Sequence, residues 1–256
     1  MTKFIDLHCH LLPNIDDGPA TLADSVALAQ ALVSQGFTTV VATPHYIEDY
    51  SALYQQHIIQ QFNALQAALQ EAAIPLTLLL GGEMLLTPQI LKIPEATLPV
   101  ISGTKLVLLE LPLTQAMPHY TQHVMFTLQL RGFQPVLAHP ERVQAFQEDM
   151  QPLLDLLPGC LLQINIASLL GHHGKRAQKT AMTLCQVQAP HFLATDSHRA
   201  SQVQKFNIPT LTTHYPVQLL LHENPQLALR NQPVKKIPKS LTGSYKEKLF
   251  RLFKRK

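Results

Sequence analysis

The sequence has no tryptophan and only three cysteines in 256 residues. Cys9, Cys160 and Cys185 cannot all pair, and no two stand at Cys-x-x-Cys spacing, which excludes a disulfide framework and a thiolate zinc site. No apolar run approaches the roughly 18 residues that a membrane-spanning helix needs. Met1-Thr2-Lys3 leads directly into an apolar stretch that ends in histidines, without the hydrophobic region and small-residue cleavage site of a secretory signal, so a cytoplasmic protein is expected. The chain also lacks Gly-x-x-x-x-Gly-Lys and Gly-x-Ser-x-Gly. No arginine follows a cysteine at the sixth position, where Ile15, Ile166 and His191 stand instead. Phosphate-loop, serine-esterase and phosphocysteine chemistries are thereby set aside.

A large charge is absent as well. The formal net charge is +3, and residues 235 to 256 hold nine Lys or Arg against one Glu, so the body is acidic. This balance argues against a nucleic-acid partner and leaves only the tail to touch an acidic surface. Within it, Phe250, Leu252 and Phe253 stand among Lys246, Lys248, Arg251, Lys254, Arg255 and Lys256, a pattern that fits a solvated, disordered terminus first and peripheral contact with an anionic membrane second. The expected organisation is one barrel domain over residues 1–231 and a basic appendage over 232–256.

Hydrophobic residues make up 46% of the chain and mean hydropathy is +0.06, which suits a globular protein with an aliphatic core. Seven short apolar runs recur, at residues 4–9, 38–43, 76–80, 105–109, 135–138, 161–166 and 191–195. Stretches of helical period separate them, near 21–35, 51–73, 115–130, 144–157, 174–188 and 216–227. Seven strand-then-helix units predict a parallel α/β sheet, closed as a barrel or open and doubly wound.

The ionisable residues favour the barrel, because they collect where strands finish, the end at which α/β barrels build active sites. The first strand ends in His8-Cys9-His10, the second leads to His45, the third to Glu83, the fourth to Glu110, the fifth to His139 and the seventh to Asp196 and His198. Residues two apart on a strand share a face, so His8 and His10 point together and Cys9 points away. Asp196-x-His198 repeats that spacing, and His45 and His139 each adjoin a proline. Five of the 13 histidines thus lie among four carboxylates, Asp17, Glu83, Glu110 and Asp196. Imidazole with carboxylate is a ligand set for Mn, Zn or Fe, and nine donors exceed what one ion uses. Two or three divalent ions are expected; three bring +6 against −4 from the carboxylates, and such a site attracts phosphate. Arg142 and Arg199 are candidates to fork onto phosphate oxygens beside the metals. Gly81-Gly82 reads as a turn that presents Glu83.

The segments Phe4 to Pro13, Ile15-Asp-Asp-Gly-Pro19, Ala42-Thr-Pro-His-Tyr46, Gly81-Gly-Glu83, Leu109-Glu110, Ala138-His-Pro-Glu-Arg142 and Thr195-Asp-Ser-His198 resemble the PHP (polymerase and histidinol phosphatase) family. Within it they resemble the bacterial manganese-dependent tyrosine phosphatases of capsule and exopolysaccharide synthesis. The resemblance implies a distorted (β/α)7 TIM-like barrel of the PHP fold. It implies one ion on His8, His10, Glu83 and Asp196, with Glu83 bridging to a second on Glu110 and His139. A third would fall to Asp17, His45 and His198, with Asp16 beside it as an exchangeable neighbour. His139, Arg142, Asp196 and Arg199 are the expected catalytic residues, Mn2+ the expected cofactor, and a phosphotyrosine protein, a tyrosine kinase, the expected partner. The implied reaction is phosphotyrosine hydrolysis by a metal-bridging hydroxide. One departure stands out: the chain reads Thr195-Asp-Ser-His-Arg199, with no further arginine before Arg230, where the family commonly places one a few residues on. Another PHP phosphoesterase, acting on histidinol phosphate or a small phosphate ester, is the alternative. A TatD-like nuclease and a non-catalytic metal-binding regulator are the further readings.

Overall fold

A computed structural model describes residues 3–46 and 51–238. The carboxyl-terminal part of the expected basic tail, from residue 239, lies outside the described residues. Among the described residues nine strands are present: β1 (Phe4–Cys9), β2 (Phe37–Ala42), β3 (His45–Tyr46), β4 (Thr77–Leu80), β5 (Glu83–Leu85), β6 (Leu106–Glu110), β7 (Gln134–Ala138), β8 (Leu161–Asn165) and β9 (Phe192–Ala194). The helices are α1 (Leu22–Ser34), α2 (Ala52–Glu71), α3 (Thr121–Leu130), α4 (Gln144–Glu148), α5 (Gln151–Leu156), α6 (Ile166–Leu169), α7 (Gly174–Gln186), α8 (Ala200–Val203), α9 (Ile208–Thr212) and α10 (Asn224–Leu229).

All strand pairs are parallel, in two ladders ordered β1-β2-β4 and β3-β5-β6-β7-β8-β9. The ladders are halves of one wall, since β3 continues β2 past Pro44 and β5 continues β4 past Gly81-Gly82. Backbone bonds from Gly81 to Ala42 (2.8 Å) and from Glu83 to Pro44 (3.0 Å) cross the interruption. Gly81-Gly82 is therefore a joint between collinear strands, not the turn expected from sequence. A Cβ on Gly82 would stand 2.6 Å from the Tyr46 ring and 2.8 Å from Pro99, so only glycine lets the two strands approach there.

The first and last strands meet beyond their ladders, giving the distorted (β/α)7 form. The amide of Asp196 donates to His8 O (2.9 Å) and that of His10 to Ser197 O (3.0 Å). Below them the buried Asp6 carboxylate accepts from Thr195 N (3.1 Å), Thr195 Oγ1 (2.5 Å) and His8 N (3.2 Å), a side chain doing the work of a missing backbone ladder. Ile5, Leu7, Val41, Leu108, Val136 and Phe192 form a small apolar cluster apart from the larger layer shared by strands and helices. Leu7 joins that cluster while the adjacent His8 joins the polar cluster above. A register irregularity between Asp6 and Cys9 accompanies this change of facing.

Helix α1 begins as expected at Thr21, which accepts from Asp24 N while Asp24 caps Thr21 in return, and it stops before Gly36 at φ 92°. Three expected helices are shortened or broken, each at a proline. Residues 115–120 stay out of α3 because Met117 precedes Pro118, which disfavours helical backbone there. The expected helix over 144–157 divides into α4 and α5, with Pro152 in the first turn of the second. The helix expected over 216–227 opens into a π turn at Leu219–Glu223 before α10, next to Pro225, which has no N–H to give to Leu221 O. Past residue 231 the chain stays seated: Asn224 accepts from Lys235 N and donates to Lys235 O, both 2.9 Å, and Ile237 is buried.

Candidate metal centre

The carboxyl ends of the strands converge on a cluster of nine donors. His8 comes from β1 and His10 directly follows it, Asp17 comes from the loop before α1, His45 from β3, Glu83 from the first position of β5 and Glu110 from the last of β6. His139 follows β7, and Asp196 and His198 follow β9. Direct pairing of His45 with Glu83 across β3 and β5 sets those two side by side. His139 (φ 31°) and Asp196 (φ 48°) both hold left-handed backbone, costly for a non-glycine residue and common where function dictates geometry.

Around Glu83 Oε2 stand His45 Nδ1 at 3.1 Å, His8 Nε2 at 3.2 Å and His10 Nε2 at 3.3 Å. Asp196 Oδ1 lies 3.5 and 3.4 Å from the same two Nε2 atoms, which are themselves 3.2 Å apart. Four ligands held tetrahedrally at about 2.1 Å from an ion stand about 3.4 Å from one another, close to this spacing. The second carboxylate oxygen, Glu83 Oε1, meets His139 Nε2 at 3.0 Å, with Glu110 Oε1 3.7 Å from that nitrogen. Asp17 Oδ1 lies 3.1 Å from His198 Nε2 and 3.5 Å from His45 Nε2, and His10 reaches the same group, stacked on His198 at 4.1 Å.

The surrounding bonds decide which nitrogens are free. His8 Nδ1–H donates to Gln163 Oε1 (2.9 Å) and His10 Nδ1–H to Asp16 Oδ2 (2.8 Å). Each neutral ring then turns a bare Nε2 lone pair toward the other, and Glu83 Oε2 beside them has no hydrogen bond. Lone pairs and a buried carboxylate in this array require cations, either protons or metal ions. The residues fit a metal.

Without metal the cluster balances itself with protons. Burial works against charge on His8, but Glu83 and Asp196 outweigh it and push its pKa up to about 9. Burial likewise opposes charge on His10, and Asp16, Asp196 and Glu83 raise it well above the usual range. Glu83 and Asp196, despite burial, are held well below ordinary carboxylates by the histidines. Burial raises Glu110, and the Glu83 charge adds to it, while burial and His10 lower His198.

The structure separates the adjacent aspartates. Asp16 is nearly buried and accepts from His10 Nδ1, Gly18 N (2.9 Å) and His45 N (3.1 Å). Burial opposes its charge, yet these bonds bring its pKa down to about 2. Asp17 faces His45 and His198 with its side chain 70% exposed. Gly18 permits this fold-back, because a Cβ there would stand 2.8 Å from His10 O.

Arg142, on the turn after His139, donates from Nη1 to Asp196 Oδ2 at 2.7 Å, so it lies at the edge of the cluster with its other donors available. Arg199 is exposed at the start of α8; its backbone N–H donates to Gln202 Oε1, and no hydrogen bond or ion pair joins its guanidinium to the cluster. Of the two expected arginines, the fold brings one to the site.

Strand β8 brings no histidine or carboxylate to the cluster, yet its two amides, Gln163 and Asn165, support it. Gln163 Nε2 donates to Asn165 Oδ1 (2.7 Å) and Asn165 Nδ2 to Asp196 Oδ2 (2.7 Å), so one amide chain links His8 to Asp196. The signal was present as polar residues two apart at a strand end, the spacing already noted at His8 and His10. Partners of this kind fix ring orientation and tautomer, and their loss weakens metal affinity about 10–100-fold. Gln163→Leu is expected to show that loss in a competitive chelator titration while unfolding as cooperatively as wild type; unchanged affinity would show the chain to be idle.

A family model for capsular polysaccharide synthesis, CpsB/CapC, matches residues 4–212. Tyrosine-protein phosphatase YwqE of Bacillus subtilis is 33% identical over 244 residues, covering 91% of this chain and 94% of that protein. Tyrosine-protein phosphatase CpsB of Streptococcus agalactiae is 28% identical over 201 residues, covering 76% and 82%. A crystal structure from work on YwqE of Bacillus subtilis and CpsB of Streptococcus pneumoniae, described as metal-dependent tyrosine phosphatases, superimposes with a TM-score of 0.81. It is 31% identical and covers 91% of this chain and 97% of its own.

Proposed function

The chain belongs to the CpsB/CapC family of capsular polysaccharide synthesis, and on that basis we propose that it is a metal-dependent protein-tyrosine phosphatase whose centre is the nine-donor cluster. The observation that carries the metal reading is the pair of facing Nε2 atoms of His8 and His10 over the hydrogen-bond-free Glu83 Oε2, an array that calls for a cation.

In this reading His8, His10, Glu83 and Asp196 would hold one ion, Glu83, Glu110 and His139 a second, and Asp17, His45 and His198 a third. Nitrogen and hard oxygen donors without thiolate suit Mn2+, with Fe and Zn as the other candidates. Divalent ions held there would supply a water of lowered pKa and positive charge for phosphoryl oxygens. The protein's own part is positional. Asp16 and Gln163 hold the two β1 imidazoles in the tautomer that leaves Nε2 free. Asn165 and Arg142 hold Asp196 by Oδ2, leaving Oδ1 toward the histidines. Arg142 stands at the rim of the cluster, and its planar fork would suit two phosphate oxygens at once. Arg199 remains in this reading only as a second phosphate contact made once substrate is bound.

A phenolate leaves readily, since its parent phenol has a pKa of about 10. A strong general acid is therefore less necessary for phosphotyrosine than for an alkyl ester such as histidinol phosphate. The partner in this reading is a bacterial tyrosine kinase of capsule or exopolysaccharide synthesis, met in the cytoplasm, where the three buried free thiols would stay reduced. The test is Mn2+-stimulated phosphate release from a phosphotyrosine peptide, histidinol phosphate and DNA, each with and without chelator. The peptide is expected to turn over at least about tenfold faster than histidinol phosphate, a difference of about 1.4 kcal/mol in barrel-bound transition states. Chelator is expected to abolish release. Peptide turnover below that of histidinol phosphate would overturn the substrate, and turnover indifferent to chelator would overturn the metal.

A further inference from the structure

Beyond β8 the chain reaches the rim of the cluster a second time. After α6 it turns at Gly171 (φ 84°) and Gly174 (φ 87°) and enters α7, with His172 and His173 between the two glycines. Backbone bonds fix the turn: Gly171 N donates to Ser168 O (3.0 Å), His172 N to Ala167 O (2.9 Å) and Gly174 N to Gly171 O (3.1 Å). Gln178 Nε2, from within α7, donates to Leu169 O (3.0 Å). A side chain carried on a turn so tied has a set position.

The two histidines have different partners. His172 is stacked on Phe206, with ring centroids 6.3 Å apart and planes at 16°. His173 holds its Nδ1 3.0 Å from Ser168 Oγ. Ser168 is fully buried beside Glu141; burial raises the Glu141 carboxyl and Ser168 opposes that rise. Glu141 is also fully buried, accepts Asn165 N on Oε1 (3.0 Å), and immediately precedes Arg142. Helix α7 packs against this same Pro140–Arg142 turn. The support beneath His173 is therefore the turn that presents Arg142. Electrostatics agree with that placement. Burial lowers the His173 pKa, and the charges of Arg142 and His139 add to it against that of Asp196, bringing it down to about 4. The residue is nonetheless exposed and open to a ligand.

We propose that His173 is a second contact for the phosphoryl group, donating from Nε2–H to an oxygen beside those that Arg142 takes. Nδ1 is engaged with Ser168, so Nε2 is the ring atom left for a ligand. With the serine hydroxyl donating to Nδ1, the neutral ring carries its one hydrogen on Nε2 and acts there as a donor. The surroundings suit an anion. No acid occurs between Asp155 and Asp196, and Lys175 and Arg176 stand exposed on the first turn of α7, whose amino end adds its own positive pole. The inference rests on the phosphate-ester reading given above, and not on tyrosine as the alcohol of that ester.

The test is calorimetric binding of inorganic phosphate to the Mn2+-loaded full-length protein, beside hydrolysis of a phosphotyrosine peptide and of p-nitrophenyl phosphate. His173→Ala removes a hydrogen bond to a charged group, so the phosphate Kd should rise at least about tenfold. KM for either ester should rise with it, while metal content stays at the wild-type level. His173→Gln places an amide N–H near the position of Nε2 and should bring Kd back to within about threefold of wild type. Equal phosphate affinity in wild type and the alanine variant would overturn the inference. So would a glutamine variant no better than alanine, the result expected if the ring only supports the turn. A loss of phosphate affinity in Arg199→Ala that His173→Ala does not share would give the place to Arg199. Failure of wild type to bind phosphate would overturn the contact itself. Phosphate bound as expected, with the aryl ester hydrolysed and the peptide untouched, would uphold His173 and overturn only the tyrosine substrate.

Discussion

Replacing Glu83 with alanine is expected to reduce turnover at least about 10³-fold, because a lost ion removes several kcal/mol of transition-state stabilisation. Glu83 has this rank because one buried carboxylate serves both ends of the cluster: Oε2 faces His8, His10 and His45, and Oε1 faces His139. No other donor is placed to substitute for it, since Glu110 comes no nearer than 3.7 Å to His139 and Asp196 is committed to Arg142 and Asn165 on its second oxygen. Metal content after dialysis should fall by at least one ion per chain. The metal-free variant should still fold, because its histidines can shed protons once the anion that raised their pKa is gone. Glu83→Gln should behave like the alanine variant in metal content, as a neutral amide is a poor bridging ligand. Turnover within tenfold of wild type for either variant, with the ion count unchanged, would remove Glu83 from the centre.

The second large effect is on stability, at Asp6. Burial raises its pKa to about 6, against the lowering influence of its bonds to Thr195 and His8. A group with a raised folded pKa adds stability that is complete below its unfolded value near 3.8 and is lost as pH rises through about 6. The shift corresponds to about 3 kcal/mol. Asp6→Asn keeps an acceptor for the Thr195 and His8 amides and cannot ionise. It should therefore be more stable than wild type by up to about 3 kcal/mol at pH 8, with the advantage gone by pH 4. Asp6→Ala strands two buried N–H groups, at about 1–3 kcal/mol each, and should be the less stable of the two variants at every pH. Urea unfolding of the three metal-free proteins at pH 4 and 8 checks both signs. An asparagine variant less stable than wild type at pH 8 would mean that the ionised carboxylate is itself needed to close the barrel.

These two residues mark what the sequence made legible. The seven apolar runs correspond to strands within a residue or two, since parallel strands buried on both faces read as short continuous apolar segments. The donors were visible because a histidine or carboxylate ending such a run stands out. Asp6 was not visible: it sits inside β1, and its partner Thr195 is on the last strand. Asp16 and Asp17 could not be told apart, because the loop's return onto His10 decides which carboxylate faces inward. Gln163 and Asn165 were passed over because amides are ordinary strand residues until their partners are known. Prolines gave away the helix breaks only in part; their effect on 216–227 was a wider turn, where an end had been equally compatible with the pattern.

The junction of β1 with the segment after β9 has a temporal side. Asp6 and Thr195 stand 189 positions apart, and His8 and His10 wait as long for Asp196 and His198. During synthesis the first donors emerge almost at once and the last ones only when most of the chain has left the ribosome, so the nascent polypeptide carries unpaired imidazoles through most of its translation. A chain released early, short of the last strand, would keep every β1 ligand and still lack the group that completes the pocket. The donor set is thus complete only when nearly the whole chain is present.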